Sequence, residues 1–257
     1  MNGREQLVAL KAILWKEILR FSRIWVQTIL PPMISTALYY VIFGRLIGSQ
    51  ISDVNGFNYM DYIVPGLILM AVITNSYGNV VASFYSAKFQ RSIEEMLVSP
   101  LPNYLIVLGF VGGGVARGIA VGGAVTVVSL FFTTIPLHNV WVAVSVLLLT
   151  SVLFSLGGLI NAIYANSFDD ITVIPTFVLA PLTYLGGVFY TVQMLPPFWQ
   201  TLSLANPILY MVNAFRYGLL GVSDVNLSSA YLAIIGFVVG LSWFAMHLLN
   251  RGYGVRS

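Results

Sequence analysis

The sequence predicts an all-α integral membrane protein: six transmembrane helices, an N-terminal interfacial helix, a cytoplasmic polar helix between spans two and three, and external re-entrant helices before the last span. Three observations carry this prediction. Hydrophobic residues make up 58% of the 257 and charged residues 8%, with a mean hydropathy of +0.87, against about 25% charged in a soluble domain. Apolar runs of about 20 residues, the length that crosses a bilayer, recur along the chain and leave no room for a separate soluble catalytic domain. The basic residues gather beside those runs. Their net charge of +3 and pI near 9.1 fit topology and lipid headgroups rather than nucleic acid. The absence of cysteine excludes disulfides and thiolate metal sites.

Residues 1–24 read as an interfacial elbow helix. Leu7, Leu10, Leu14, Ile18 and Phe21 recur at helical spacing, with Lys16, Arg20 and Arg23 opposite. A helix with a basic face, flanking Trp15 and Trp25, and no long uncharged run lies in the interface rather than crossing it. The segment mixes both charge signs and lacks a short apolar core with a small-residue cleavage site, so it is expected to stay in the mature protein.

The first span is 25–43, with Pro31-Pro32 expected to kink it. Gly44 and Arg45 end it, and an external loop with Asn55-Gly56 and the acids Asp53 and Asp61 follows. The second span is 63–83. Its Asn75, Asn79 and Ser83 repeat every four residues on one face, either as interhelical hydrogen bonds or as candidate translocation-path contacts. Residues 88–102, KFQRSIEEMLVSPLP, combine dense charge with an apolar stripe between two membrane runs, and Pro100 and Pro102 separate them from the next span.

The third span, 105–132, is longer than a bilayer needs and contains Arg117. That arginine either marks a path or, if the hydrocarbon section is 118–137, snorkels at its edge. Gly114, Gly118 and Gly122 form a packing face. The fourth span is 140–164, after a turn that holds His138. Neither this histidine nor His247 has ligand partners at metal-binding spacing. Asp169 and Asp170 suit the N-terminus of the fifth span, 171–190, which Pro175, Pro181 and Gly186-Gly187 make irregular.

Residues 192–220 are apolar but divided by Pro196-Pro197 and Asn206-Pro207, giving two external re-entrant helices too short to cross. Arg216 in the second is a headgroup anchor or part of an external gate. Asn226-Leu-Ser matches the glycosylation pattern and also suits a helix start. The sixth span is 230–249. Placing the elbow, 88–102, Arg117 and the tail inside puts ten of the twelve basic residues in the cytoplasm, leaving Arg45 and Arg216 outside. Both termini are then cytoplasmic.

The chain shows no phosphate-binding GxxxxGK[ST] loop, no nucleophile with a base, and no pair of membrane-buried acids at interacting spacing. It is therefore expected not to be an enzyme and to bind no cofactor itself. Uphill transport would draw its energy from another polypeptide.

Lys16-Glu17 in the elbow, the run Arg91-Ser-Ile-Glu94-Glu-Met-Leu-Val-Ser-Pro100, and Asn206-Pro207-Ile-Leu-Tyr210 through Arg216 together resemble the ABC-2 type permeases, the membrane subunits of ATP-binding cassette exporters of type V fold. The likeness covers nearly the whole chain. It implies a homodimer in the bacterial inner membrane, bound to two separate ATPase subunits that hold ATP and magnesium. It also implies that the helix in 88–102 is a coupling helix, with Lys88, Gln90, Arg91, Glu94 and Glu95, helped by Lys16 and Glu17, facing the ATPase. Asn75 and Asn79 become candidate path residues, and Asn206, Pro207 and Arg216 a candidate external gate. Family members move polysaccharides, lipids, drugs and other amphiphiles, so export of such a molecule is expected. The alternative is an ion-coupled secondary carrier or channel.

Overall fold

The computed structural model describes residues 2–48 and 53–254, without the side chains of 45–47. The expected external placement of the Arg45 side chain, part of the first loop and Arg256 of the tail lie outside the described residues.

Helix α1 (Gly3–Arg23) opens with the Glu5 carboxylate accepting the Asn2 N–H at 2.9 Å and closes with Arg20 and Arg23 in its last turn, where they complement the helix dipole. Its buried residues are Ile13, Glu17 and Phe21, whereas Leu7 is 54% exposed and Leu10, Leu14 and Ile18 are half-buried. The buried face is thus rotated from the expected leucine stripe. The reason lies on the helix that receives it: a Cβ on Gly109, Gly112 or Gly113 would come within 2.4–2.5 Å of Ile13, Leu14 or Glu17, so α1 sits directly on a glycine surface.

Helix α2 (Trp25–Tyr39) runs through Pro31 and Pro32 and widens into π-helical turns over Tyr40–Ile47. The Asn55-Gly56 turn has positive φ at both residues and is closed by paired bonds between Val54 and Phe57, the geometry for which this dipeptide is favoured. Helix α3 (Tyr59–Phe89) spans about 46 Å and is the centre of the bundle, with its mid-section buried almost all round. It extends beyond the expected 63–83 and takes in Lys88. Arg91, at φ 59°, then reverses the chain into α4 (Ser92–Val98).

Helix α5 (Asn103–Ser129) uses a second glycine face against the core. A Cβ on Gly114 would meet Ser155 Oγ at 2.3 Å, one on Gly118 would meet Ser76 Oγ at 2.1 Å, and one on Gly122 would meet Val72 at 2.8 Å. Helix α6 (Val140–Tyr164) is capped by Asn139, whose Oδ1 accepts the Val142 N–H. Helix α7 (Asp170–Ile174) starts where Asp170 accepts the Asn166 and Ser167 amides and the Ser167 hydroxyl accepts the Asp170 N–H, a reciprocal cap.

A π-helical segment, Pro175–Leu179, leads into α8 (Ala180–Tyr184). The helical path ends at Tyr184, short of the expected 190, because Gly186 and Gly187 turn the chain, the latter at φ +70°. Helix α9 (Pro197–Leu204) is mostly exposed, and α10 (Pro207–Leu220) is mostly buried against α3, α6 and α11 (Leu227–Arg251). Asn226 caps α11 through Oδ1, accepting the Ser228 N–H at 2.9 Å.

Among the described residues, five helical stretches are long and apolar enough to cross a membrane: Trp25–Gly44, α3, α5, α6 and α11. The expected fifth span corresponds to the shorter apolar stretch Asp170–Tyr184. One end of the bundle, the elbow end, gathers α1, α4 and the C-terminal residues, held by Tyr104 Oη donating to Gln6 and Asn103 to Asn250.

Candidate functional site

At the elbow end, α4 stands out from the bundle. Gln90, Arg91, Glu95 and the neighbouring Val98 are exposed or partly so, and Glu94 is half-buried. Phe89 is 66% and Val98 88% exposed, giving α4 apolar as well as charged points of contact. A cleft of about 220 Å³ is lined by Lys88, Arg91, Glu94, Asn166 and neighbouring aromatic residues. On its other side, Met96, Ser99 to Leu101 and the α1 residues Glu5, Ala9 and Ala12 line an apolar cleft of about 490 Å³.

Lys88 faces the bundle. Its Nζ donates to Ile163 O at 2.8 Å and to Ala165 O at 2.7 Å, two of the carbonyls that α6 leaves unpaired at its C-terminus. Beside it, Tyr85, Phe89 and Phe168 form a ring cluster with centroids 4.9–6.5 Å apart. The end of α3 and the loop after α6 are therefore held as one junction, from which α4 departs. Nothing in the residue pattern signalled this, since Lys88 is separated by some 75 residues from its acceptors.

Lys16 is exposed on α1, but Glu17 is fully buried. Glu17 accepts from Ser83 Oγ at 2.6 Å and pairs with Arg20 at 3.2 Å. Arg20 also donates to Asn79 Oδ1 at 2.7 Å and to Asn79 O at 3.1 Å. One turn further into the bundle, Arg117 donates to Asn75 Oδ1 at 3.1 Å. The Asn75–Asn79–Ser83 stripe thus ties α3 to α1 and α5, and Glu17 holds the elbow helix from inside rather than from its outer surface. The pairing of Glu17 with Arg20 at i, i+3 was a readable signal; the glycines of α5 that admit it carried no mark of α1 as their partner.

Arg117 lies within the candidate span Asn103–Ser129. Helix α5 ends at Ser129 and the chain then leaves helical geometry, so a helical hydrocarbon section over 118–137 is not formed. The guanidinium is half-buried beside α3, and its Nε is buried without a partner among the described residues.

Between α2 and α3 runs a groove of about 370 Å³. Pro31, Pro32, Tyr39, Leu67, Met70 and Ala71 line its length together with the hydroxyls of Ser35 and Thr36, and Gln27, Thr28, Thr74 and Asn75 line one end. Of the two candidate path residues, Asn75 borders this groove and Asn79 is enclosed at 0% exposure beneath Arg20.

At the far end, Arg216 is 1% exposed, which does not fit a headgroup anchor. Its Nη2 donates to Gly187 O at 2.6 Å, its Nε to Tyr62 O at 3.4 Å, and its guanidinium lies 3.9 Å above the Tyr62 ring. This clamps α10 to α3 and to the glycine turn. Asn206 caps α10 by accepting the Ile208 N–H and donates to Leu182 O at 2.6 Å, and Pro207 occupies the first helical position, where its missing donor costs nothing.

The fold and these sites define a class: a helical membrane protein with a protruding polar helix locked to its central spans. The ABC-2 type transporter family matches residues 8–220. The inner membrane transport permease YadH of Escherichia coli K12 is 58% identical over 251 residues, covering 97% of this chain and 98% of the relative. Nodulation protein J of Rhizobium leguminosarum bv. trifolii is 24% identical over 215 residues, covering 83% and 82%. The protein of that name from Neorhizobium galegae is 22% identical over 243 residues, covering 93% and 92%. The chain belongs to the ABC-2 type transporter family and is the membrane subunit of an ABC transporter.

Proposed function

We propose that this chain is the homodimeric, inner-membrane permease of an exporter powered by two ATPase subunits, with its elbow end and both termini cytoplasmic. The observation that carries the reading is the junction at Lys88. An exposed helix with charged and apolar contact points follows directly on the end of the central helix α3, which Lys88 and the aromatic cluster pin to the end of α6. Closure of an ATPase pair pressing on α4 would move the ends of α3 and α6 together, and the six-span unit, counting Asp170–Tyr184, would open toward the far side. The positive-inside bias supports this orientation. The family supports a polysaccharide, lipid or drug-like amphiphile as cargo, and the groove between α2 and α3 supports an amphiphilic one.

In this reading Gln90, Arg91, Glu94, Glu95 and Lys16 meet the ATPase, while Lys88 and Glu17 act behind that surface. Asn206, Pro207 and Arg216 hold the external helices closed. The test is reconstitution with the chain's ATP-binding partner subunit. Reversing both charges, R91E with E95R, should abolish co-purification while leaving the permease folded; undiminished binding and coupled hydrolysis would refute the docking surface.

A further inference from the structure

The connection between α10 and α11 does not bridge the two helices directly. Gly221, at φ +81°, turns the chain out of α10, and the Asp224 N–H then donates to Asn213 Oδ1 at 2.8 Å. Asn213 lies about 10 Å along the axis from the end of α10 at Leu220, so the connection folds back beside its own helix. Asn213 is fully enclosed, and its side-chain amide is occupied by Leu209 O at 3.0 Å. The oxygen it offers Asp224 is therefore fixed in direction.

Placed there, one carboxylate gathers segments from distant parts of the chain. Asp224 Oδ2 accepts the Val192 N–H at 3.3 Å, where the chain turns toward α9. Oδ1 lies 3.5 Å from the side-chain amide of Asn55, in the loop before α3. The Tyr62 hydroxyl, near the start of α3, also bonds to this carboxylate. Arg216 stacks on the same Tyr62 ring at 3.9 Å, and its charge interacts with that of Asp224. The other attachment of α10 is of a different kind. His138 and Asn139 donate their backbone N–H groups to Leu219 O and Gly218 O at 3.1 and 2.7 Å, and a Cβ on Gly218 would come within 2.7 Å of Ala143 N. Backbone thus fastens α10 to α6, whereas the entrance to α9 and the loop before α3 are fastened to it through a half-buried side chain for which water can compete.

We propose that Asp224 is the latch of the far-side gate: its carboxylate holds the entrance to α9 and the loop before α3 against α10, and its release lets them part while α10 stays on α6. The proposal rests on the reading of 206–216 as the element that closes the far side, and adds the residue whose contacts must break for opening. Asp224 is a positioning residue, acting through the segments it holds.

The chain has no cysteine, so V192C, at a position 8% exposed, reports opening by its rate of maleimide modification in the purified full chain. The substitution keeps the backbone N–H that Asp224 accepts. D224N retains the size of the side chain but not its charge, and should raise that rate about tenfold, the effect of losing about 1.4 kcal/mol of closure. N213A, which frees Asp224 from the other side, should raise it similarly, and the double variant should gain less than the product of the two because they break one clasp. I93C, enclosed at the elbow end, should keep its rate in D224N. An unchanged V192C rate in D224N would overturn the proposal. So would a parallel rise at I93C, which would make Asp224 a general prop of the fold, or fully multiplicative effects of D224N and N213A. In the assembled transporter a non-hydrolysable ATP analogue should accelerate V192C modification of the parent. A parent indifferent to the analogue, with D224N still fast, would count against the transport reading and leave the latch standing.

Discussion

Replacing Lys88 with methionine separates two roles that a lysine beside the proposed coupling helix can have. In the structure its ammonium is spent on the C-terminal carbonyls of α6, at 2.8 and 2.7 Å. Methionine keeps the length and apolar stem but donates nothing. Hydrogen bonds to charged groups contribute about 1.5–3 kcal/mol, and a favourable charge at a helix C-terminus about 0.3–1 kcal/mol. Because the site is only partly buried, the lower end applies: about 1.5 kcal/mol, or roughly a tenfold shift toward a released junction. The sequence has no cysteine, so a single spin label introduced as V98C, at a position 88% exposed, reports the mobility of α4 without background. K88M should increase that mobility and reduce the coupling of ATP hydrolysis to transport while the ATPase still co-purifies, and K88R should restore both. Loss of co-purification with an unchanged label spectrum would refute the reasoning, since Lys88 would then be touching the partner directly.

Other expectations follow from the same contacts. E17A leaves the half-buried Arg20 without its carboxylate and should destabilise the protein by about 3 kcal/mol, the lower end for breaking a buried pair, seen as early aggregation in a thermal size-exclusion assay; a variant as stable as the parent would contradict the buried pairing. G113L adds a side chain whose first carbon would meet Glu17 Cβ at 2.5 Å. It should therefore cost about 1–3 kcal/mol by overpacking and increase proteolysis of α1, whereas G123L, with nothing within 4 Å, should not. R216M loses the Gly187 bond and the stacking on Tyr62, and should make the Gly186–Tyr190 turn accessible to cleavage from the far side; equal protection in both proteins would remove the clamp.

Much of the bundle was legible because membrane spans are written in long, local signals. Helix α6 occupies the expected 140–164, with Asn139 capping it, and the glycines at 114, 118 and 122 lie on the packing surface expected of them. What escaped depends on partners distant in sequence. The stripe of leucines in α1 implied one buried face, but Gly109, Gly112 and Gly113 select another, because close approach to bare backbone outweighs the larger side chains' preference. Lys88 looked like part of a charged surface, and only the end of α6, brought beside it by folding, turns it inward. Arg216 looked like an interface residue because nothing local announces that Tyr62 and Gly187 will enclose it. Arg117 likewise carries no local sign that Asn75, 42 residues away, is its partner.

The glycines of α5 have a mechanical consequence. Most contacts between helices pass through side chains that can change rotamer and so absorb small displacements. Along α5, Gly109, Gly112 and Gly113 meet α1, and Gly114, Gly118 and Gly122 meet the core, with no side chain of their own on either side. The helix therefore has little compliance in those two directions. A push delivered through 99–102 at its base would travel along a stiff rod, shifting the elbow and the central helices in the same stroke instead of being lost in local rearrangement.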